Sequence, residues 1–199
     1  MRLIVLAMML FAACSACAEG ETAAPEARWD VARLMQRLAQ VQHAQGQFVE
    51  KKYLRILNKP LESSGTLIYQ APGHLEKHTR APKIESLVLD KSTLLIDSKA
   101  SGKRRLTLQD YPLLWALIEG IRSTLAGDVA TLNRFYQIKL DGDISRWRLI
   151  LIPTDAKALE LVREIRISGR EDRVSEIETL ETTGDRSVMS VTEDRVETP

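Results

Sequence analysis

With 199 residues, 44% of them hydrophobic, the chain is long enough to bury a sizeable core within one domain. Its 28 basic and 27 acidic residues leave a formal net charge of +1, which gives no support to nucleic-acid binding, a function that asks for a clearly basic face. Both cysteines, Cys14 and Cys17, lie at the N-terminus, so the rest of the chain offers no disulfide, cysteine zinc site or thiol nucleophile.

Arg2 followed by the apolar run Leu3–Ala13 has the layout of an export signal, and Ala16-Cys17-Ala18 fits a small-x-small cleavage site before Glu19. The run is too short to cross a bilayer, which takes about 20 residues. A signal peptide over residues 1–18 predicts a soluble periplasmic protein, with 27 basic residues against 27 acidic once Arg2 is removed. The small residues of Phe11-Ala12-Ala13-Cys14 also permit lipoprotein-type processing, with a lipid anchor on Cys14 or Cys17. Residues 19–28, rich in Ala and Glu with Pro25, are predicted as a flexible lead-in.

The first periodic segment is Trp29 to Val41. Val31, Leu34, Met35, Leu38 and Val41 recur at spacings of three and four, which predicts an amphipathic helix. From Gly46 to Asp90 the pattern changes to short strand-like runs, broken at Asn58-Lys59-Pro60, Ser64-Gly65, Ala71-Pro72-Gly73 and Ala81-Pro82. Later runs alternate with a period of two: Trp147, Leu149 and Leu151; Ile165 and Ile167; Met189 and Val191. One apolar and one solvated face is the mark of an antiparallel sheet. Turn chemistry at Asp90-Lys91-Ser92, Ser101-Gly102-Lys103, Asp141-Gly142-Asp143, Ser168-Gly169 and Gly184-Asp185 brings the expected count to nine or ten strands.

One helical segment interrupts the strands, Asp110 to Leu125, with Asp110 as the expected cap and Pro112 in the first turn. Leu113, Leu114, Trp115, Leu117, Ile118, Ile121 and Leu125 make it apolar nearly all round, so it must be buried on more than one side. Gly127-Asp128 then opens a short turn or helix as far as Arg134.

Chemistry-bearing groups are sparse. His74 and His78 stand four apart, about 13 Å along a strand and too far for one ion, and His43 is isolated, so no metal site is predicted. There is no G-x-S-x-G elbow, no Ser plainly paired with a His and no Gly-rich phosphate loop. Carboxylates alternate with Lys and Arg as on solvated sheet faces. No catalytic residue and no cofactor is therefore expected. Lys103-Arg104-Arg105 is the densest basic cluster, read as a solvated strand end, with docking to anionic headgroups or a membrane partner as the lesser alternative.

The order of parts, with Phe48 opening a long first strand, Gly65-Thr66-Leu67-Ile68-Tyr69 a second, and Pro72 the turn after it, resembles the LolA family of periplasmic lipoprotein carriers across residues 29 to 192. That resemblance implies an α+β fold: a single strongly curved antiparallel sheet, an incomplete barrel, covered by an N-terminal helix and an inserted helical lid, within a carrier domain over 29–199. It implies an apolar cavity formed by Leu34, Leu38, Phe48, Leu67, Tyr69, Leu75, Leu89, Leu114, Trp115, Ile118 and Leu149. Lys77 stands where the carriers' pattern faces inward, so either the register differs here or the cavity has a polar wall suited to a charged headgroup. A saturated chain leaving water gains roughly 0.8 kcal/mol per buried methylene, so such a cavity needs no catalytic group to hold acyl cargo. The implied partners are a lipidated protein or lipid as cargo, an inner-membrane transporter as donor and an outer-membrane acceptor, the carrier itself being monomeric. A LolB-like anchored acceptor and a lipid-sensing envelope-stress regulatory domain are the alternatives the same resemblance allows.

Two positions depart from the carriers' pattern. They carry an Arg just before the turn proline that latches lid to sheet, where this chain has Ala71. Their next strand is aromatic-rich, whereas Leu75-Glu-Lys-His-Thr-Arg80 is heavily charged. This tract and Gly184-Asp-Arg-Ser-Val-Met189 resemble a divergent branch associated with aryl-polyene or similar lipid export pathways.

Overall fold

The computed structural model describes residues 29–100 and 102–194; the expected signal peptide and lead-in lie outside the described residues. After α1 (Val31–Leu38) the chain forms β1 (His43–Tyr53), β2 (Leu61–Gln70), β3 (His74–Ala81), β4 (Glu85–Asp90), β5 (Thr93–Ser98) and β6 (Gly102–Thr107). A 3-10 turn and two helices follow, α2 (Pro112–Leu125) and α3 (Val129–Phe135). The remainder is β7 (Tyr136–Asp143), β8 (Arg146–Pro153), α4 (Ala156–Leu161), β9 (Val162–Arg170), β10 (Arg173–Glu181) and β11 (Arg186–Glu193).

All eleven strands belong to one antiparallel sheet, ordered β6-β5-β4-β3-β2-β1-β11-β10-β9-β8-β7. The chain thus enters at the middle, walks to one edge at β6, crosses through α2 and α3 to the far edge at β7, and walks back until β11 pairs with β1. Phe48 stands opposite Val191 in that closing pair. The sheet is open, and the helical insertion is the link between its two free edges.

Local chemistry explains most element ends. Asp30, Asp128 and Asp155 cap α1, α3 and α4 by accepting from the backbone N–H groups of Arg33, Thr131 and Ala158. Asp110 does not cap α2. It lies in the 3-10 turn, Tyr111 takes the cap position without a side-chain bond, and Pro112 begins the helix. Three expected breaks fall inside strands. Ser64-Gly65 marks a register shift within β2, Gly142 is part of β7, and Gly169 is part of β9. A Cβ on Gly169 would stand 2.0 Å from the Arg173 carbonyl at the start of β10 and 2.5 Å from the Trp147 ring, so this glycine makes room for both the adjoining hairpin and a buried indole. Helix α4 was not anticipated.

Two apolar clusters form. The larger packs Leu34, Met35 and Leu38 of α1, with Leu132 and Tyr136, onto Trp147, Leu149, Leu151, Ile165 and Ile167. The smaller gathers Leu89, Leu94 and Leu108 with Leu114, Trp115 and Ile118 of α2. Gly127, at φ +68°, lets the α2–α3 link pass against the Met35 carbonyl at the end of α1, a place where a Cβ would meet that oxygen at 2.2 Å. Helix α1 therefore fills one half of the sheet and α2 the other.

Candidate functional site

Between the two halves lies a cavity of about 460 Å³, within the range of small-molecule sites. Strand alternation builds its floor. On β1 the buried positions are Gly46, Phe48 and Glu50, and the register carries that inner face across the sheet: Gly46 to Leu67 to Lys77 to Leu87, and Tyr69 to Leu75 to Leu89 to Leu94. From the other side of β1 come Met189 and Val191 of β11 and Val174 and Ile177 of β10. The roof is one stripe of α2: Leu114, Leu117, Ile118, Ile121 and Leu125, at spacings of three and four. From Asp172, in the turn before β10, to Glu181 at its end the lining covers about 30 Å at 3.3 Å per residue.

Of the residues expected here, Leu38, Leu67, Tyr69, Leu75, Leu89, Leu114 and Ile118 line the cavity, as does Lys77. Leu34, Phe48, Trp115 and Leu149 are not part of its lining. Leu34 and Leu149 are fully buried in the larger cluster, because α1 sits directly on β8 and β9. Phe48 is buried and covered by the Lys77 ammonium, 4.9 Å from the ring centroid. Trp115 turns aside, edge-on to Phe135 at 5.5 Å, with its Nε1 donating to Glu119 at 2.9 Å. Reading the sequence missed Leu117, Ile121, Leu125, Ile177, Met189 and Val191. The first three continue the helical spacing from Leu114 and could have been found; the others depend on which strand pairs with which.

The apolar wall contains one buried charge pair. Glu50, 5% exposed, accepts from Lys77 Nζ at 2.6 Å, from Ser187 Oγ at 2.7 Å and from Ser63 Oγ at 3.5 Å. Burial opposes its charge, but Lys77, Ser187 and Lys52 outweigh that and hold the carboxyl below the ordinary range. Lys77, expected as a cation for a headgroup, is therefore neutralised within the wall.

On the outer face of β3, His74 Nε2 and His78 Nε2 flank the Glu76 carboxylate at 2.8 and 2.6 Å, and Ser86 Oγ lies 3.0 Å from His78 Nδ1. The sequence had suggested no Ser paired with a His, and this one is. Yet Ser86 sits mid-strand, paired with His78 on one side and Asp97 on the other. That is a ladder position, not the turn or helix start that leaves backbone N–H groups free to form an oxyanion hole. Among the described residues no group of three or more His, Cys, Asp or Glu could hold a metal ion.

The lid is tied down at one end by Arg122. Its Nη1 donates to the Lys91 carbonyl in the β4–β5 turn at 3.4 Å, and its Cδ lies 2.9 Å from where a Cβ on Gly73 would stand, in the β2–β3 turn. Glu119, 3% exposed, orients it by accepting from Arg122 Nε at 3.1 Å, and also accepts from Ser123 Oγ at 3.2 Å. The arginine missing at position 71 thus has a counterpart on the opposite side of the same cleft, which Ala71, Gly73, Lys91 and Arg122 all line.

Among solved structures, the chain is similar in fold to a LolA superfamily protein from Nitrosomonas europaea, with 9% identity and a TM-score of 0.47 over 86% of this chain and 96% of that one. It is also similar to a DUF1329 family protein from Desulfovibrio piger, with 12% identity and a TM-score of 0.44 over 82% and 89%. No curated protein sequence matches it significantly. The family profile for outer membrane lipoprotein carrier proteins, LolA-like, matches residues 22–192, nearly all of the chain, and the protein belongs to that LolA-like family.

Proposed function

We propose that the chain is a periplasmic, non-enzymatic carrier. Its domain, residues 29–199, takes the acyl or polyene chains of a lipoprotein or lipid into the cavity and carries them from an inner-membrane exporter toward an outer-membrane acceptor. The observation that carries the reading is the continuity of apolar surface from sheet to lid: Leu67, Tyr69 and Leu89 below, Leu114, Ile118 and Ile121 above. Burying roughly 0.8 kcal/mol of transfer free energy per methylene, a long chain would be held there by hydrophobic contact alone. The export signal read at residues 1–18 supports the compartment.

Native mass spectrometry of the protein isolated from its own cell envelope tests this. A co-purifying acyl or polyene species, displaced by substitution of Ile118, is the expected result. Protein that carries no apolar ligand and takes up none from a lipid extract would overturn the carrier role.

A further inference from the structure

One end of the molecule combines exposed aliphatic side chains with a concentration of cations. Lys52 pairs with Leu61, Ser64 with Ala81, and Glu85 with Ser98, so the β1–β2, β3–β4 and β5–β6 connections all emerge at the same end of the sheet. Segments 54–60, 80–84 and 99–104 together hold seven Lys or Arg and no Asp or Glu. Of the acids beside them, Glu62 and Asp97 each pair with a lysine at 3.5 Å, Asp185 accepts from the Arg55 backbone N–H, and Glu85 follows Ile84 directly. Between the cations stand Ile56, 89% exposed, Ile84, 58% exposed, and Leu57.

The exposure of Ile56 is built in. Its loop is pinned from below, where Arg55 donates through its backbone N–H to Asp185 Oδ1 at 2.8 Å and through Nη1 to the Thr183 carbonyl at 2.9 Å. The neighbouring Leu54, with Lys52 and Arg186, lines this end of the cavity.

We propose that this end docks on an anionic lipid bilayer, with Ile56 and Ile84 entering the headgroup region and the surrounding lysines and arginines meeting lipid phosphates. Aliphatic tips ringed by Lys and Arg are the chemistry of interfacial membrane binding. Protein–protein interfaces, by contrast, favour aromatic side chains and are depleted in Lys. Docking would bring the Leu54 end of the cavity to the membrane surface. The inference does not depend on what the cavity carries.

The test is flotation of the exported protein, its N-terminus and lack of lipidation established by intact mass, with vesicles of phosphatidylcholine alone or mixed equally with phosphatidylglycerol. Binding to the mixed vesicles only, released at 1 M salt where screening acts within about 3 Å, is the expected result. Ile56→Ser with Ile84→Ser should weaken it at least about tenfold. Lys59→Glu with Lys83→Glu should do the same, since each basic residue near such a surface contributes about a fivefold factor. All four positions are exposed, and thermal melts should match those of the parent. Failure to bind the mixed vesicles, equal binding to both kinds, or full binding by either double variant would overturn the proposal.

Discussion

The Lys77 ammonium and the Glu50 carboxylate meet at 2.6 Å although their strands, β3 and β1, are separated by β2. On β2 the inner-face position between Leu67 and Ser63 is Gly65, which has no side chain to stand in the way. The pair is internal, so removing one partner strands the other. Lys77→Met is expected to destabilise the fold by about 3 kcal/mol, the lower end for a broken buried pair because Lys77 is a quarter exposed. Adding Glu50→Gln should recover much of that loss. Denaturant melts of the two single variants and the double variant measure the coupling; additive effects would contradict it.

Acid should expose the same pair. Glu50 and Glu76 both titrate below the ordinary glutamate value of 4.5, Glu76 through hydrogen bonding with His74 and His78. Groups depressed on folding contribute stability that is complete above the unfolded value and is lost as pH falls through the folded one. Melting temperature is therefore expected to decline as pH drops from 4.5, with a shallower decline in Glu50→Gln. Parallel pH profiles for parent and variant would rule Glu50 out as a contributor.

Arg122 holds the lid to the two turns. Its replacement by Ala should speed exchange of a fluorescent lipid by about tenfold, or roughly 1.4 kcal/mol, the low end for hydrogen bonds to a charged group. Stopped-flow transfer to acceptor vesicles reads this directly, and unchanged rates would mean that the lid does not open at this end.

An arginine placed at position 71 would latch the lid, slowing exchange by no more than about tenfold, only if lid carbonyls near Leu113 to Ile118 lay within its reach. The lid residue at that turn is instead Arg122, and Ala71 lines the same cleft. Ala71→Arg in the parent should therefore bring two like charges together and fail to slow exchange. In the Arg122→Ala background the same substitution should partly restore the slow rate. An Ala71→Arg protein that exchanges more slowly than the parent would mean that lid carbonyls near Leu113 to Ile118 are within reach of this position.

Ile118 presents its side chain to the cavity from the lid stripe. Ile118→Asp sets an unpaired charge against apolar surface, which is unfavourable enough to expel a bound chain or hold the lid away. Loss of an apolar fluorescent probe, with far-ultraviolet circular dichroism unchanged, is expected. Retained probe affinity would remove Ile118 from the site.

What could be read in advance followed from local periodicity. Leu34, Met35 and Leu38 announced α1 through their spacing, and the alternation of Trp147, Leu149 and Leu151 announced a half-buried strand. Facing was harder. In a helix apolar nearly all round, spacing groups Ile118 with Leu114 but does not say whether their stripe or the face of Trp115, which turns toward Phe135, meets the cavity. Nor does alternation reveal that Val191 lies beside Phe48, since the first and last strands find each other only in three dimensions. Glycine misled in the same way. Gly169 carries the composition of a turn but lies within β9, where it clears the Arg173 carbonyl across the hairpin and the ring of Trp147 on the neighbouring strand.

The pairing of β1 with β11 also sets the order in which this molecule can be made. During synthesis β1 gains β2 within a few residues, but its other edge stays bare until the chain has been extended as far as Val191. So large a sequence separation raises the loop-closure entropy of the final step and slows folding relative to locally connected sheets. Until then the nascent protein exposes an open strand edge and half of an apolar cavity, a surface that invites aggregation. A chain cut short before β11 would keep both β1 and β10 permanently unpaired along one side, so the last strand closes the fold as well as ending it.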